Sequence, residues 1–210
     1  MPLASENRAS LIAALASTSD PFFAELGFRR TRRGTSYIRL RPEARQALHF
    51  HSASNPSYFP GVVLHIQPKL EVVIPSVARI ALQMVGDPRL LSGAPDIVVF
   101  TLLELLEVPS RQQRWCVSSA AELPACLASI HDGFRRLALP LFEDYSSGLG
   151  LTSSYEAGDR RPLIQQHWYV YVAAAYILQN RRSEARAVLE RHLGTPGLRE
   201  RFAAAHAYAA

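Results

Sequence analysis

Three histidines are the residues best placed to do chemistry in this sequence. His49 and His51 flank Phe50 in the run 47–51, and His65 sits in the apolar run 62–66. Residues two apart on a strand point the same way, so His49 and His51 share a face, and His65 joins them if the next strand lies alongside. Three imidazoles suffice for a zinc centre. The spacing, however, brings no cysteine or carboxylate to the set. Acid–base work by a histidine needs an orienting carboxylate, and none is identifiable here. The run 35–40 and the residue after it add Tyr37, Arg39 and Arg41 to the same expected face. Tyr37, Arg39, Arg41, His49, His51 and His65 therefore read as a partner-binding surface. It is aromatic and cationic, without Asp or Glu, and suits an acidic partner. No catalytic residue, metal site or cofactor is expected.

Other signatures are missing or incomplete. Gly148-Leu149-Gly150 lacks the third glycine of a phosphate loop and follows no strand. Neither His-Glu-x-x-His nor Gly-x-Ser-x-Gly occurs. Pro95-Asp96 precedes an apolar run, as in one class of metal-dependent nucleases, but no lysine follows Asp96. Cys116 and Cys126 form no Cys-x-x-Cys pair, and two thiols are not a disulfide framework. One tyrosine among several arginines is a thin version of the stacking platform that binds single-stranded nucleic acid.

The elements that must position the six residues follow from periodicity. Runs 35–40, 47–51 and 62–66 alternate in part between apolar and polar residues, the pattern of strands with one covered face. Ile38, Leu40, Leu48, Phe50, Val62, Leu64 and Ile66 form the expected inner face of this β-meander. A strand from Phe28 to Arg33 precedes it, with a turn at Gly34. Pro68 is expected to bend or end the last of these strands. Residues 5–16 have helical spacing. Asp20-Pro21 reads as the start of a second short helix, closed by Gly27. Ser76 reads as the cap of a helix with Val77, Ile80, Ala81 and Met84 inward. Residues 97–106 read as a buried strand and 114–117 as another. Leu123, Leu127, Ile130, Phe134, Leu137 and Leu141 form an amphipathic stripe that Pro140 ends or kinks. The Ser- and Gly-rich stretch 146–158 reads as a boundary. Beyond it, 163–180 is apolar all round and 183–193 amphipathic, a helical hairpin with Ala173, Tyr176, Ala185 and Leu189 at the offsets of a tetratricopeptide pair. The expectation is an α+β fold, an antiparallel β-meander packed by helices in residues 1–147, with a C-terminal α-helical hairpin in 148–210 packed on it.

Composition narrows the class. The hydrophobic fraction of 48% suits a packed core, and the formal charge is +5. All but one of the 23 basic residues are Arg, with Lys69 the exception, and Arg29, Arg30, Arg32 and Arg33 are the one tight cluster. A basic balance permits nucleic acid or an acidic protein and selects neither. The longest apolar run, Val170–Leu178, is about half of a bilayer span. A cytoplasmic protein without membrane contact is expected.

The run Phe23-Ala24-Glu25-Leu26-Gly27-Phe28, then Gly34 and Tyr37 and two hydrophobic strands, resembles an uncharacterised bacterial family catalogued as domain of unknown function forty-three oh four. The helix ending Leu139-Pro140-Leu141-Phe142 resembles the close of that domain. The resemblance covers roughly residues 5–147 and carries no catalytic residue. Small α+β proteins of this kind are often encoded beside bacterial toxins. The resemblance thus implies a non-enzymatic protein-binding role, an immunity protein neutralising a cognate toxin or effector. The alternative is a nucleic-acid-associated module using the Arg-rich face.

Overall fold

Two prolines that look like helix breakers are carried through their helices. The computed structural model describes residues 4–32, 34–91, 93–107 and 114–210. Helix α1 (Ala4–Ala14) does not stop before Asp20-Pro21. It loosens into a π-helical turn, Leu15–Ser19, and resumes as α2 (Asp20–Glu25). Proline removes one i→i−4 bond and crowds the carbonyl that would accept it. The wider turn absorbs both effects, because the Asp20 N–H, just before Pro21, bonds the Leu15 carbonyl five residues back. The same device recurs downstream. Helix α4 (Leu123–Gly133) passes through a π-helical turn, Phe134–Ala138, into α5 (Leu139–Asp144), and the Leu139 N–H bonds the Phe134 carbonyl immediately before Pro140. Gly27, with φ +80°, closes α2 as expected.

The sheet runs in the order β1 (Arg29–Arg30), β2 (Ser36–Leu40), β3 (Arg45–Ser54), β4 (Leu64–Val73), β5 (Ile97–Leu102), with β6 (Trp115–Val117) also on β4. It is antiparallel, and the fold is α+β with the meander that the alternation predicts. Strand β4 continues through Pro68. Its pairing with β6 covers Leu64, His65 and Ile66, so the residue without an N–H falls beyond that paired stretch. Arg33 lies outside the described residues.

The chain folds into two units that interleave in sequence. One comprises residues 1–40, 46–70 and 101–141, the other 41–45, 71–100 and 142–210. This partition does not follow a boundary at 147.

The first unit is built on a ring cluster. Phe23 lies 4.4 Å from Tyr37, 5.0 Å from Phe134 and 6.0 Å from Phe28, with Phe50 at 6.1 Å. Leu11, Leu15, Leu48, Leu64, Ile66, Leu127 and Ile130 are buried in the same unit. The amphipathic stripe of α4 thus faces the core as its spacing requires. The spacing Ser119-Ala120-Ala121-Glu122 before it suggests a capping box, but Ser119 accepts no backbone bond; instead the Ser118 N–H and the Ser119 hydroxyl both donate to the Glu122 carboxylate.

The second unit is helical around α7 (Trp168–Leu178), whose residues Val170–Tyr176 are all buried. Helices α3 (Pro75–Val85), α6 (Gly148–Glu156) and α8 (Arg182–Leu193) pack against it, and α9 (Pro196–Arg201) and α10 (Ala203–Ala209) follow. The expected hairpin is therefore present as α7 and α8. Helix α3 begins at Pro75, without Ser76 as its cap, and ends at Gly86. Helix α6 replaces the expected linker. Ser147 caps it by accepting from the Gly150 N–H at 3.0 Å, and a side chain at Gly148 would press on Val77, 3.4 Å away.

Candidate binding site

Strand β2 carries the opposite phase to the one its hydrophobicity suggests. Tyr37 and Arg39 are inside, at 1% and 7% exposure, while Leu40 is 75% exposed and Ile38 half-buried. The expected placement of Tyr37 and Arg39 on the outer face is corrected accordingly. Polar partners inside explain the reversal. The Tyr37 hydroxyl donates to Asp20 Oδ1 at 2.7 Å, and Arg30 meets the same carboxylate at 3.0 Å. The Arg39 guanidinium donates to Gln46 Oε1 at 2.7 Å and to the Leu26 carbonyl at 3.2 Å, and lies 4.7 Å over the Phe28 ring. Both polar heads are satisfied, so the Tyr37 ring and the Arg39 stem can pack in the core.

The remaining predicted residues separate. His49 and His51 do share the outer face of β3, with ring centroids 6.2 Å apart, and His49 Nδ1 is 2.8 Å from Ser36 Oγ. Ile38 and Leu40 accompany Ser36 on that face, and Arg29 pairs in register with Ile38. Arg41 lies beyond β2 and ion-pairs with Glu143 at 2.7 Å. His65 is 4% exposed. Tyr58 and Phe59 cover it, Tyr58 Oη lies 3.1 Å from Nδ1, and Cys116 is its register partner on β6. Burial lowers the His65 pKa, so it is neutral at neutral pH. No group of three or more His, Cys, Asp or Glu is placed to hold a metal ion among the described residues. No helix among them is long and apolar enough to cross a membrane. Burial also pushes the Cys126 thiol up to about 11, which makes it a poor nucleophile.

The better-formed site lies in the second unit, where α6, α7 and α8 meet. Its cavity is about 400 Å³. Tyr155 on α6, Trp168 and Tyr169 on α7, and His192 on α8 supply the rings around it. His192 lies flat on Tyr169, with centroids 3.6 Å apart and planes 4° apart, and its Nε2 is 2.9 Å from Tyr155 Oη. Tyr155 stands edge-on to Tyr169 at 6.5 Å and 6.2 Å from Trp168. Trp168 and Tyr176 are buried and Tyr169 is half-buried, and the Trp168 and Tyr176 rings lie near Tyr155 of α6.

The charged side chains around this cavity are unequally paired. Arg160, Arg191, Glu156 and Asp159 all line it. Both carboxylates are already engaged. Glu156 accepts from the Tyr176 hydroxyl at 2.8 Å and from Arg181 at 2.9 Å. Asp159 is gripped by Arg161 at 2.7 Å and accepts from the Tyr145 hydroxyl at 3.1 Å. By contrast, neither Arg160 nor Arg191 has a carboxylate within salt-bridge distance among the described residues. Burial, then the Arg191 and Arg160 guanidiniums, lower the His192 pKa, so the imidazole at the cavity wall is neutral at neutral pH.

Sequence reasoning missed this site because its residues come from three places. Tyr155 and Arg160 lie in or just after a stretch whose serines and glycines suggest a linker, and His192 is 37 residues from Tyr155. The one local signal was Ser147 before the helically spaced Leu151 and Tyr155.

No family model matches the chain, and no curated protein or solved structure matches it.

Proposed function

We propose that this chain is a non-enzymatic binding protein whose ligand site is the aromatic, arginine-lined cavity of α6, α7 and α8. One observation carries the reading. Two guanidiniums without a carboxylate partner among the described residues open onto a ring-walled cavity of about 400 Å³. Small-molecule sites are about 300–1,000 Å³, mostly apolar or aromatic, with a few convergent polar groups. Guanidinium groups match carboxylates and phosphates in a planar, bidentate way. The ligand is therefore an anion with an apolar or planar body.

The test is thermal melting and Trp fluorescence with adenosine monophosphate, benzoate and inorganic phosphate. At least one should raise the melting temperature in a saturable manner. Arg160→Ala and Arg191→Ala should each weaken that effect without lowering the unliganded melting temperature, since both side chains are exposed. The proposal fails if no anion shifts the parent, or if the variants respond like the parent.

A second reading follows from the outer face of β2 and β3. Leu40, Ile38, His49, His51 and Arg29 form an apolar and basic surface, which favours an acidic protein partner. Immunity against a toxin or effector belongs to this reading. Leu40→Asp should abolish capture of such a partner and leave ligand binding in the cavity intact.

A further inference from the structure

The cavity's polar wall says more about its ligand than that it is an anion. This inference rests on the binding role proposed above. Two guanidiniums without carboxylate partners favour two negative charges over one. Arg160 follows α6 and Arg191 lies on α8, and both line the cavity. The rings of Tyr155, Trp168 and Tyr169 line the same cavity of about 400 Å³.

Tyr155 and His192 add the discriminating feature. They share one hydrogen bond, Oη to Nε2 at 2.9 Å. While His192 is neutral with Nε2 unprotonated, the Tyr155 hydroxyl must donate to it and has no proton for a ligand. Once His192 is protonated, Nε2–H becomes the donor. The Tyr155 hydroxyl then accepts that bond and is free to turn its own proton into the cavity. The stack on Tyr169 holds the imidazole plane during the change, at a separation of 3.6 Å. The charged and titratable groups around His192 are Tyr155 and Glu156 from α6, Asp159 and Arg160 after it, Tyr169 from α7 and Arg191 on its own helix. Arg181 pairs with Glu156 and also with Glu184, and Arg161 with Asp159 and also with Asp144. Burial and the guanidiniums of Arg191 and Arg160 oppose protonation of His192, and a dianion bound between them reverses that sign.

We infer that the site takes a phosphate monoester carried on a planar body, and binds it with uptake of one proton by His192, as the Tyr155 hydroxyl transfers from the imidazole to the phosphate. The proton comes from solvent, and no bond other than hydrogen bonds forms or breaks apart from the new N–H on His192.

The experiment is calorimetric titration of the full chain with adenosine monophosphate at pH 7.0, 7.5 and 8.0, in two buffers of unequal ionisation heat. Above pH 7 the phosphate is a dianion, since its second pKa is about 6. The heats in the two buffers should differ by an amount that corresponds to uptake approaching one proton. Kd should rise toward tenfold per pH unit. His192→Gln, which can bond Tyr155 but cannot titrate, should still bind, more weakly, with the buffer difference and the pH slope gone. Tyr155→Phe should keep the ring wall and lose roughly tenfold or more in affinity. Adenosine should bind at least tenfold more weakly than the monophosphate, and inorganic phosphate likewise.

Each departure has a separate meaning. Equal heats in both buffers, with tight binding, overturn the proton coupling and leave the anion site standing. Adenosine equal to its monophosphate overturns the anionic class. Inorganic phosphate equal to the monophosphate overturns the planar body. The absence of binding by any probe overturns the binding role itself together with this inference.

Discussion

Tyr37→Phe removes one oxygen and distinguishes the two phases that β2 could adopt. In the observed phase that oxygen is buried, donates to Asp20 at 2.7 Å, and has a second, longer contact with the Leu15 carbonyl at 3.4 Å. Burial and the Asp20 carboxylate hold the Tyr37 phenol far above its ordinary pKa, so it stays a neutral donor across the accessible pH range. Loss of a hydrogen bond to a charged group costs about 1.5–3 kcal/mol. Arg30 still pairs with Asp20 at 3.0 Å, so the carboxylate is not orphaned and the lower end applies, about 1.5–2 kcal/mol. For a chain of this size each kcal/mol lowers the melting temperature by about 2–4 °C, giving roughly 3–8 °C. The matched control is Leu40→Ser. Leu40 is 75% exposed, so this change should stay within about 0.5 kcal/mol of the parent. Urea unfolding followed by far-UV circular dichroism measures both, with the slope checked for constancy. A parent-like midpoint for Tyr37→Phe combined with a large loss for Leu40→Ser would show that β2 presents its other face to the core.

Three further outcomes follow from the packing. Phe134→Ala should cost about 3–5 kcal/mol, because its ring sits among Phe23, Phe28 and Phe22, and the same urea series measures it. Gly150→Ala should destabilise α6 by about 1–3 kcal/mol, because an added Cβ would overlap the Asp144 carbonyl oxygen, and circular dichroism melting reads the loss. His131 is buried against Ser19 Oγ at 2.8 Å and stacked on Phe22, and burial pushes its pKa down to about 4. The folded state thus favours the neutral imidazole. Its contribution is full above about pH 6.5, falls as the pH drops toward 4, and amounts to about 3 kcal/mol in all. Melting between pH 7.5 and 4 should show a shallower decline in His131→Gln than in the parent.

Residues with only one energetically sensible place were legible in the sequence. The stripe Leu123, Leu127, Ile130 and Phe134 can be buried only by a helix, and it is buried as one. Leu48 and Phe50 send His49 and His51 outward together, because strand side chains alternate and apolar rings leave water. Gly27 and Gly86 end their helices with positive φ, a conformation that costs other residues more. These are local rules, and the α+β class follows from their sum.

Tertiary contacts decided what the local rules left balanced. In β2 the apolar pair Ile38 and Leu40 competes with the larger Tyr37 and Arg39. The larger pair goes inside because Asp20, Gln46 and the Leu26 carbonyl, from elsewhere in the chain, satisfy its polar ends. Helix α6 forms in a stretch rich in Ser and Gly because Ser147 caps it and Gly148 allows close approach to Val77. Pro21 and Pro140 do not end their helices, because the π-helical turn before each accommodates the ring while the flanking Leu15, Phe23, Phe134 and Leu141 stay buried. The cavity has no signature in the sequence for a related reason. Arg160 and Arg191 are ordinary surface arginines until folding gives the neighbouring carboxylates other partners, and that pairing exists only in three dimensions.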